Sequence, residues 1–225
     1  MKKQQTGFTL IELAIVLVII GLLLGGVLKG QELINSAKVK NMAADFKNTQ
    51  VYIYGYQDKY RALPGDDANP VAHLGANAIK AASGTGDGVI SGAWNGGTSG
   101  TAPATESGIF WQHVRLANLA PGPTSGTDAN YYPTNADGGR IGVQSVSDFN
   151  TLATGPTGLT GAYVICSAGI LGRFAKQLDT TLDDGETSTG SMRVYASTAP
   201  TVWVTSNVTT PTIDDATTYN VCLSF

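Results

Sequence analysis

Three groups of residues carry most of the reactive chemistry in this chain. The first opens it. Lys2 and Lys3 precede Gly7-Phe8, and Glu12 follows as the single ionisable side chain of an apolar run from Phe8 to Leu28. An acid well inside an apolar helix is costly and is normally functional. The second group is the cysteine pair, Cys166 and Cys222. If this part of the chain lies outside the cytoplasm, a disulfide is the expected state. Closing that loop, roughly 55 residues long, would contribute about 4 kcal/mol in the chain-entropy account. The third is Asp179-Thr180-Thr181-Leu182-Asp183-Asp184-Gly185-Glu186, the densest cluster of acids. Its plain reading is a helix end followed by an Asp-Asp-Gly turn. None of these groups is arranged for catalysis. His73 and His113 sit in unrelated contexts. No G-x-S-x-G, Walker A, dinucleotide or H-E-x-x-H pattern occurs. The expectation is a protein that is not an enzyme.

The elements that must position these residues can be read next. At 225 residues the chain suits one domain plus a membrane or filament segment. Its net charge of -3 gives no reason to expect nucleic acid, and Arg115, Arg140, Arg173 and Arg193 are scattered rather than clustered. Only 14% of residues are charged, and 28 are glycine, which favours strands, turns and long loops. Residues 8–28 would span about 30 Å as a helix, one hydrocarbon core. Beyond them the pattern changes. Val39, Met42, Ala43, Phe46, Thr49, Ile53, Tyr56 and Tyr60 recur at spacings of three and four, one face of an amphipathic helix over residues 29–63. Pro64 should end it. Phe46, Tyr52, Tyr54, Tyr56 and Tyr60 read as packing aromatics.

Residues 64–225 read as a β-rich globular part. Leu63-Pro64-Gly65-Asp66-Asp67 is a turn signature, and residues 64–105 promise little regular structure. Asp87, within Gly84-Thr85-Gly86-Asp87-Gly88, lacks the acid spacing of an EF-hand and reads as a turn. Glu106 to Leu119 predicts a short helix with Ile109, Phe110, Val114 and Leu116 or Ala117 inward. His113 has no evident partner. Strands are expected at 140–146, 161–167, 191–198, 201–206 and 219–225, with a helix near Arg173–Leu182. The cysteines would then tie the last strand back into the sheet.

Three readings compete for the start. A cleaved secretory signal needs a shorter apolar core and a small-residue site, and Gly25-Gly26 offers no A-x-A pattern. A plain signal anchor fits the length but leaves Glu12 unexplained. The third explains every part. Gly7-Phe8-Thr9-Leu10-Ile11-Glu12, after a basic leader and before an apolar helix, resembles the class III signal of type IV pilins and type II secretion pseudopilins. The resemblance implies that a prepilin peptidase removes residues 1–7 by cutting between Gly7 and Phe8, and that the Phe8 amine is then methylated. Gly7 suits such a cut because it brings no Cβ into a narrow protease site, and Lys2 and Lys3 hold the leader on the cytoplasmic face. The new cation at Phe8 could pair with Glu12 of a neighbouring, axially staggered copy. Glu12 would then set register in a non-closing helical assembly.

The resemblance also implies a fold and a setting. The fold class is α+β: a long N-terminal helix, transmembrane half then amphipathic half, packed on a mostly antiparallel sheet. The chain would wait in a bacterial inner membrane with its leader cytoplasmic and residues 64–225 periplasmic. An assembly platform and its ATPase would then extract it into an extracellular filament of identical subunits. Pilins often pin their C-terminal region with one disulfide, and Cys166 with Cys222 looks like that. Some pilins and pseudopilins bind Ca²⁺, which makes Asp179, Asp183, Asp184 and Glu186 a candidate Ca²⁺ set; no other cofactor is expected. Leu182-Asp183-Asp184-Gly185, Leu63-Pro64-Gly65-Asp66 and Phe110-Trp111 look like a recurring subgroup of pilin-like proteins. The expected function is a structural subunit of a type IV pilus, serving adhesion, motility or DNA uptake. The alternatives are a pseudopilin of a type II secretion system, or an adhesin or DNA-binding module anchored by a pilin signal.

Overall fold

The computed structural model describes residues 9–82, 85–151, 156–196 and 212–225. The chain divides into two units, residues 1–38 and 39–225. In the first unit, helix α1 (Leu10–Tyr60) begins and passes Gly21, Gly25, Gly26 and Gly30 without a break. Each glycine weakens a helix by about 1 kcal/mol relative to alanine. Their open backbones meet nothing, since no other atom lies near the place of a missing Cβ at any of the four. Lys29 and Glu32 form an ion pair at 2.7 Å.

The second unit holds the rest of α1. Val39, Met42, Ala43, Phe46, Thr49, Ile53 and Tyr56 are buried, as their spacing predicts, while Tyr60 is half-buried. The helix stops just before Arg61, which takes a positive φ of 55°, a little ahead of Leu63, where Pro64 disfavours the α conformation. Residues 64–105 contain a single short helix, α2 (Pro70–Leu74), among their described positions. Helix α3 (Glu106–Leu116) follows. The Thr105 hydroxyl caps it by accepting from the Gly108 amide. The expected inward residues Ile109, Phe110, Val114 and Ala117 are buried, but so is every residue from Glu106 to Arg115, so the helix is covered on all sides rather than on one face.

Among the described residues, four strands make one antiparallel sheet: β1 (Ile141–Ser145), β2 (Tyr163–Leu171), β3 (Met192–Tyr195) and β4 (Thr218–Ser224). Their spatial order is β1-β2-β4-β3. The architecture is therefore α+β, as expected. Helix α4 (Val146–Phe149), four residues long, follows β1, and α5 (Gly172–Leu182) follows β2. The expected strand at 201–206 lies outside the described residues.

The two-residue period of the strands sorts the core onto two faces. Ile141, Val143, Ile165, Val221, Leu223, Met192 and Val194 share one core cluster with Phe46 and Ile53 of α1, Phe110 and Val114 of α3, and Phe174 and Leu178 of α5. Val164, Cys166, Tyr195 and Cys222 face the other way and pack with Trp94, Val146, Phe149 and Leu159.

Candidate functional site

The first unit presents an apolar surface with no cover of its own. From Leu10 to Leu28 every residue is exposed, with Leu10 at 86% and Leu22 at 74%. The stretch is long and apolar enough to cross a membrane by length and composition, and none of its most apolar window is buried within the chain. A helix apolar on all sides must be covered by lipid or by other chains.

Its start is held by a local device. Thr9 is the residue before the helix, and its backbone N–H donates to Glu12 Oε2 at 2.8 Å. The Thr9 hydroxyl donates to the same oxygen at 2.8 Å, and the Glu12 amide lies 3.3 Å from the Thr9 hydroxyl as its donor. This is a capping box, which satisfies backbone donors that the first helical turn leaves orphaned. In the single chain, then, Glu12 is already occupied, and any partner from a neighbour has to share or displace Thr9. Thr9 was legible, because T-x-x-E ahead of an apolar run is the sequence form of this box, although the processing pattern draws attention to Gly7, Phe8 and Glu12 instead. Gly7 and Phe8 lie outside the described residues.

The comparison with known families decides what this segment is. Residues 2–28 match the family described as the prokaryotic N-terminal methylation motif. This is the class III prepilin signal of type IV pilins and pseudopilins. No curated protein and no solved structure matches the chain. The prepilin signal marks the chain as a prepilin peptidase substrate that is served by a pilus or secretion assembly system. Together with the long apolar helix, it is consistent with anchoring in the inner membrane before assembly.

The cysteine pair forms the disulfide Cys166–Cys222. The two residues are directly opposed in the β2–β4 register, with Cα atoms 4.1 Å apart, and both are wholly buried. The bond joins β2 and β4, the two inner strands of the sheet.

Of the four acids expected to act together, three converge. One carboxylate oxygen from each of Asp179, Asp183 and Asp184 lies within 4.8 Å of the others. Glu186 is not in that group, and its Oε1 accepts from the Ser188 hydroxyl at 3.1 Å. Asp179 sits on the last turn of α5 and is wholly buried. Burial, and then the charges of Asp184, Asp183 and Glu186, push its carboxyl up to about 7, against the opposing pull of the Gly185 amide.

A second polar centre was not legible. Asp67, 1% exposed, accepts from the Tyr56 hydroxyl and meets His73 Nδ1, each at 2.6 Å, and accepts from the Asn69 amide at 2.8 Å. Burial works to raise this carboxyl. The three hydrogen bonds outweigh it and hold the group below its ordinary value. Asp66 beside it gathers the amides of Gly86, Asp87 and Gly88, so the Asp87 segment is a turn wrapped on Asp66. His113, for which no partner was evident, is wholly buried. Its Nδ1 accepts from the Gly65 amide at 3.0 Å and its Nε2 lies 2.7 Å from the Ile79 carbonyl. Burial lowers its pKa. The partners come from loops 34 and 48 residues away, so no local pattern announces them.

Proposed function

We propose that the chain is a structural subunit of a type IV pilus, built into an extracellular helical filament of identical copies through its N-terminal helix. The observation that carries this reading is the combination of a class III prepilin signal with a helix whose apolar surface is uncovered on every side from Leu10 to Leu28. A prepilin peptidase would cut between Gly7 and Phe8 and methylate the Phe8 amine. The membrane covers the helix first, and neighbouring helices cover it in the filament. An assembly platform and ATPase would move it from one to the other, so the chain needs no catalytic residue of its own.

Glu12 sets the register in this account. Within an apolar bundle an unpaired charge is strongly penalised, so copies that align Phe8 of one with Glu12 of the next are favoured over other offsets. The capping box holds the Glu12 carboxylate near the helix start in the waiting subunit. Adhesion, motility and DNA uptake are the tasks such a filament serves.

A pseudopilin of a type II secretion system is the alternative, supported by the same signal. Electron microscopy of filaments sheared from cells, with antibody to this chain, separates the two. Labelled long extracellular fibres are expected. Their absence, together with a block in exoprotein release on deletion of the gene, would replace the pilus with the secretion piston.

A further inference from the structure

Arg115 and Arg140 are scattered in the sequence, yet the fold brings both to the wall of one pocket of about 410 Å³. Arg115 is 6% exposed and Arg140 is half-buried. Neither meets a carboxylate at ion-pair distance among the described residues. Backbone carbonyls hold them instead. Arg115 donates through Nε to Pro121 at 3.1 Å, and through Nη1 to Pro123 at 2.9 Å and to Tyr131. Arg140 donates through Nη1 to Asn95 at 3.1 Å and Gly97 at 2.9 Å, and through Nη2 to Gly96. Its guanidinium lies 3.4 Å from the centroid of the Tyr132 ring. These contacts alone would describe two staples that close loops.

The charge of Arg115 is what a staple does not explain. Carbonyl dipoles position a guanidinium without cancelling its charge, and a buried charge is normally paired. Burial disfavours the cation at both arginines. The acids around Arg115 do not answer it. Asp128 favours its charge from beyond ion-pair contact, while Asp128 Oδ1 accepts the Asn130 amide at 2.7 Å. Asp45 lines an adjoining hollow with Arg115, yet burial acts on that carboxyl with no relief from the guanidinium. The bonds of Arg115 also leave the two N–H groups of Nη2 without an acceptor among the described residues. This edge is open because residue 122 is glycine. Gly122 lines the same pocket at a φ of 122°, and a Cβ on it would stand 2.9 Å from Nη2.

We propose that this pocket binds a small sugar acid, with Arg115 holding its carboxylate and Arg140 adding its charge to the same wall. A guanidinium donates strong, charge-assisted hydrogen bonds to a carboxylate. The pocket is far larger than a bare oxyanion needs, and its volume falls in the range of sites for small organic molecules. Ser99, Asn130 and Thr134 line it as well and supply hydroxyl and amide groups for a hydroxylated body. The net charge of -3 on the chain weighs against a polyanion and leaves a ligand of single charge. This site does not depend on the pilus reading and would hold in a pseudopilin as well.

The test uses the full chain in detergent micelles at low salt, with sodium glucuronate as the probe in isothermal titration calorimetry. Glucose and inorganic phosphate are the comparisons. One glucuronate per chain is expected to bind. Glucose lacks the charge and phosphate lacks the hydroxylated body, so each should bind about tenfold more weakly, or not at all. Arg115→Gln should abolish binding, but it also removes the bonds that close the loop after α3. Ser99→Asp therefore carries the test by itself. It puts a carboxylate into the pocket at an exposed position, and affinity should fall about tenfold or more with Tm unchanged. Absence of saturable binding of glucuronate overturns the site, and so does parental affinity in Ser99→Asp. Glucose or phosphate bound as tightly as glucuronate overturns the assignment to a sugar acid.

Discussion

Residues 10–28 and residues 39–60 belong to one helix, yet they solve the burial problem in opposite ways. The first stretch is apolar on every side and buries none of it within the chain. The second is apolar on one stripe, Val39 to Tyr56, and buries that stripe against α3 and the sheet. The first therefore depends on an environment that the chain does not supply, and the second is self-sufficient. Changes in the first should alter assembly and leave the stability of residues 39–225 alone. Changes in the second should do the reverse.

The largest effect should come from Glu12→Ala. Processing is expected to continue, because Gly7 and Phe8 are intact, while filaments recovered by shearing fall below a tenth of the parental amount. The melting temperature should stay within a degree of the parent. Normal piliation in this variant would break the comparison at its strongest point. Next comes the disulfide. Replacing both Cys166 and Cys222 by serine should lower the stability of residues 39–225 by about 4 kcal/mol in denaturant titration, as expected for a loop of 56 residues. An unchanged midpoint would mean that the bond contributes nothing to that unit.

Asp67→Ala should cost about 2–3 kcal/mol, because it leaves the buried Tyr56 hydroxyl and the His73 ring without their acceptor. The pH dependence follows from the depressed carboxyl. A folded-state pKa below the unfolded one stabilises above the ordinary carboxylate range, and that stability is lost as pH falls through the folded value. Parent and variant should therefore converge in acid, and a constant gap from neutral to strongly acidic pH would contradict this assignment.

The smallest effect has the opposite sign. Burial pushes Asp45, on α1, up to about 6. Its folded pKa lies above the unfolded one, so the parent loses stability as pH rises through about 4 to 6. Asp45→Asn should then be more stable than the parent by roughly 1 kcal/mol at pH 7, with no difference near pH 4. A gain that persists in acid would point to packing rather than charge.

The contrast between the two stretches also explains what could be read from sequence. Periodicity predicted the seven buried residues of α1 and the strands carrying Cys166 and Cys222, because helix and strand repeats are local signals. The start of the chain was legible for the same reason, since processing signal, apolar run and acid are contiguous. What stayed hidden was long-range. Arg115 donates to the carbonyls of Pro121, Pro123 and Tyr131, closing the loop that follows its helix. His113 reaches Gly65 and Ile79, and Tyr56 finds Asp67 across the end of its own helix. In the acid cluster the four residues were singled out by the resemblance, and only folding separates the three that converge from Glu186. Buried polar groups must be partnered, and sequence shows the need without showing the partner.

The opening stretch is proposed to be at once a processing signal and an assembly surface. Mass spectrometry of the N-terminus of the protein isolated from cells tests it most directly. Residues 1–7 are expected to be absent, and the chain to begin with Phe8 carrying a single methyl group on its amine. A native chain that retains Lys2 and Lys3, or one cut after Gly26, would contradict it.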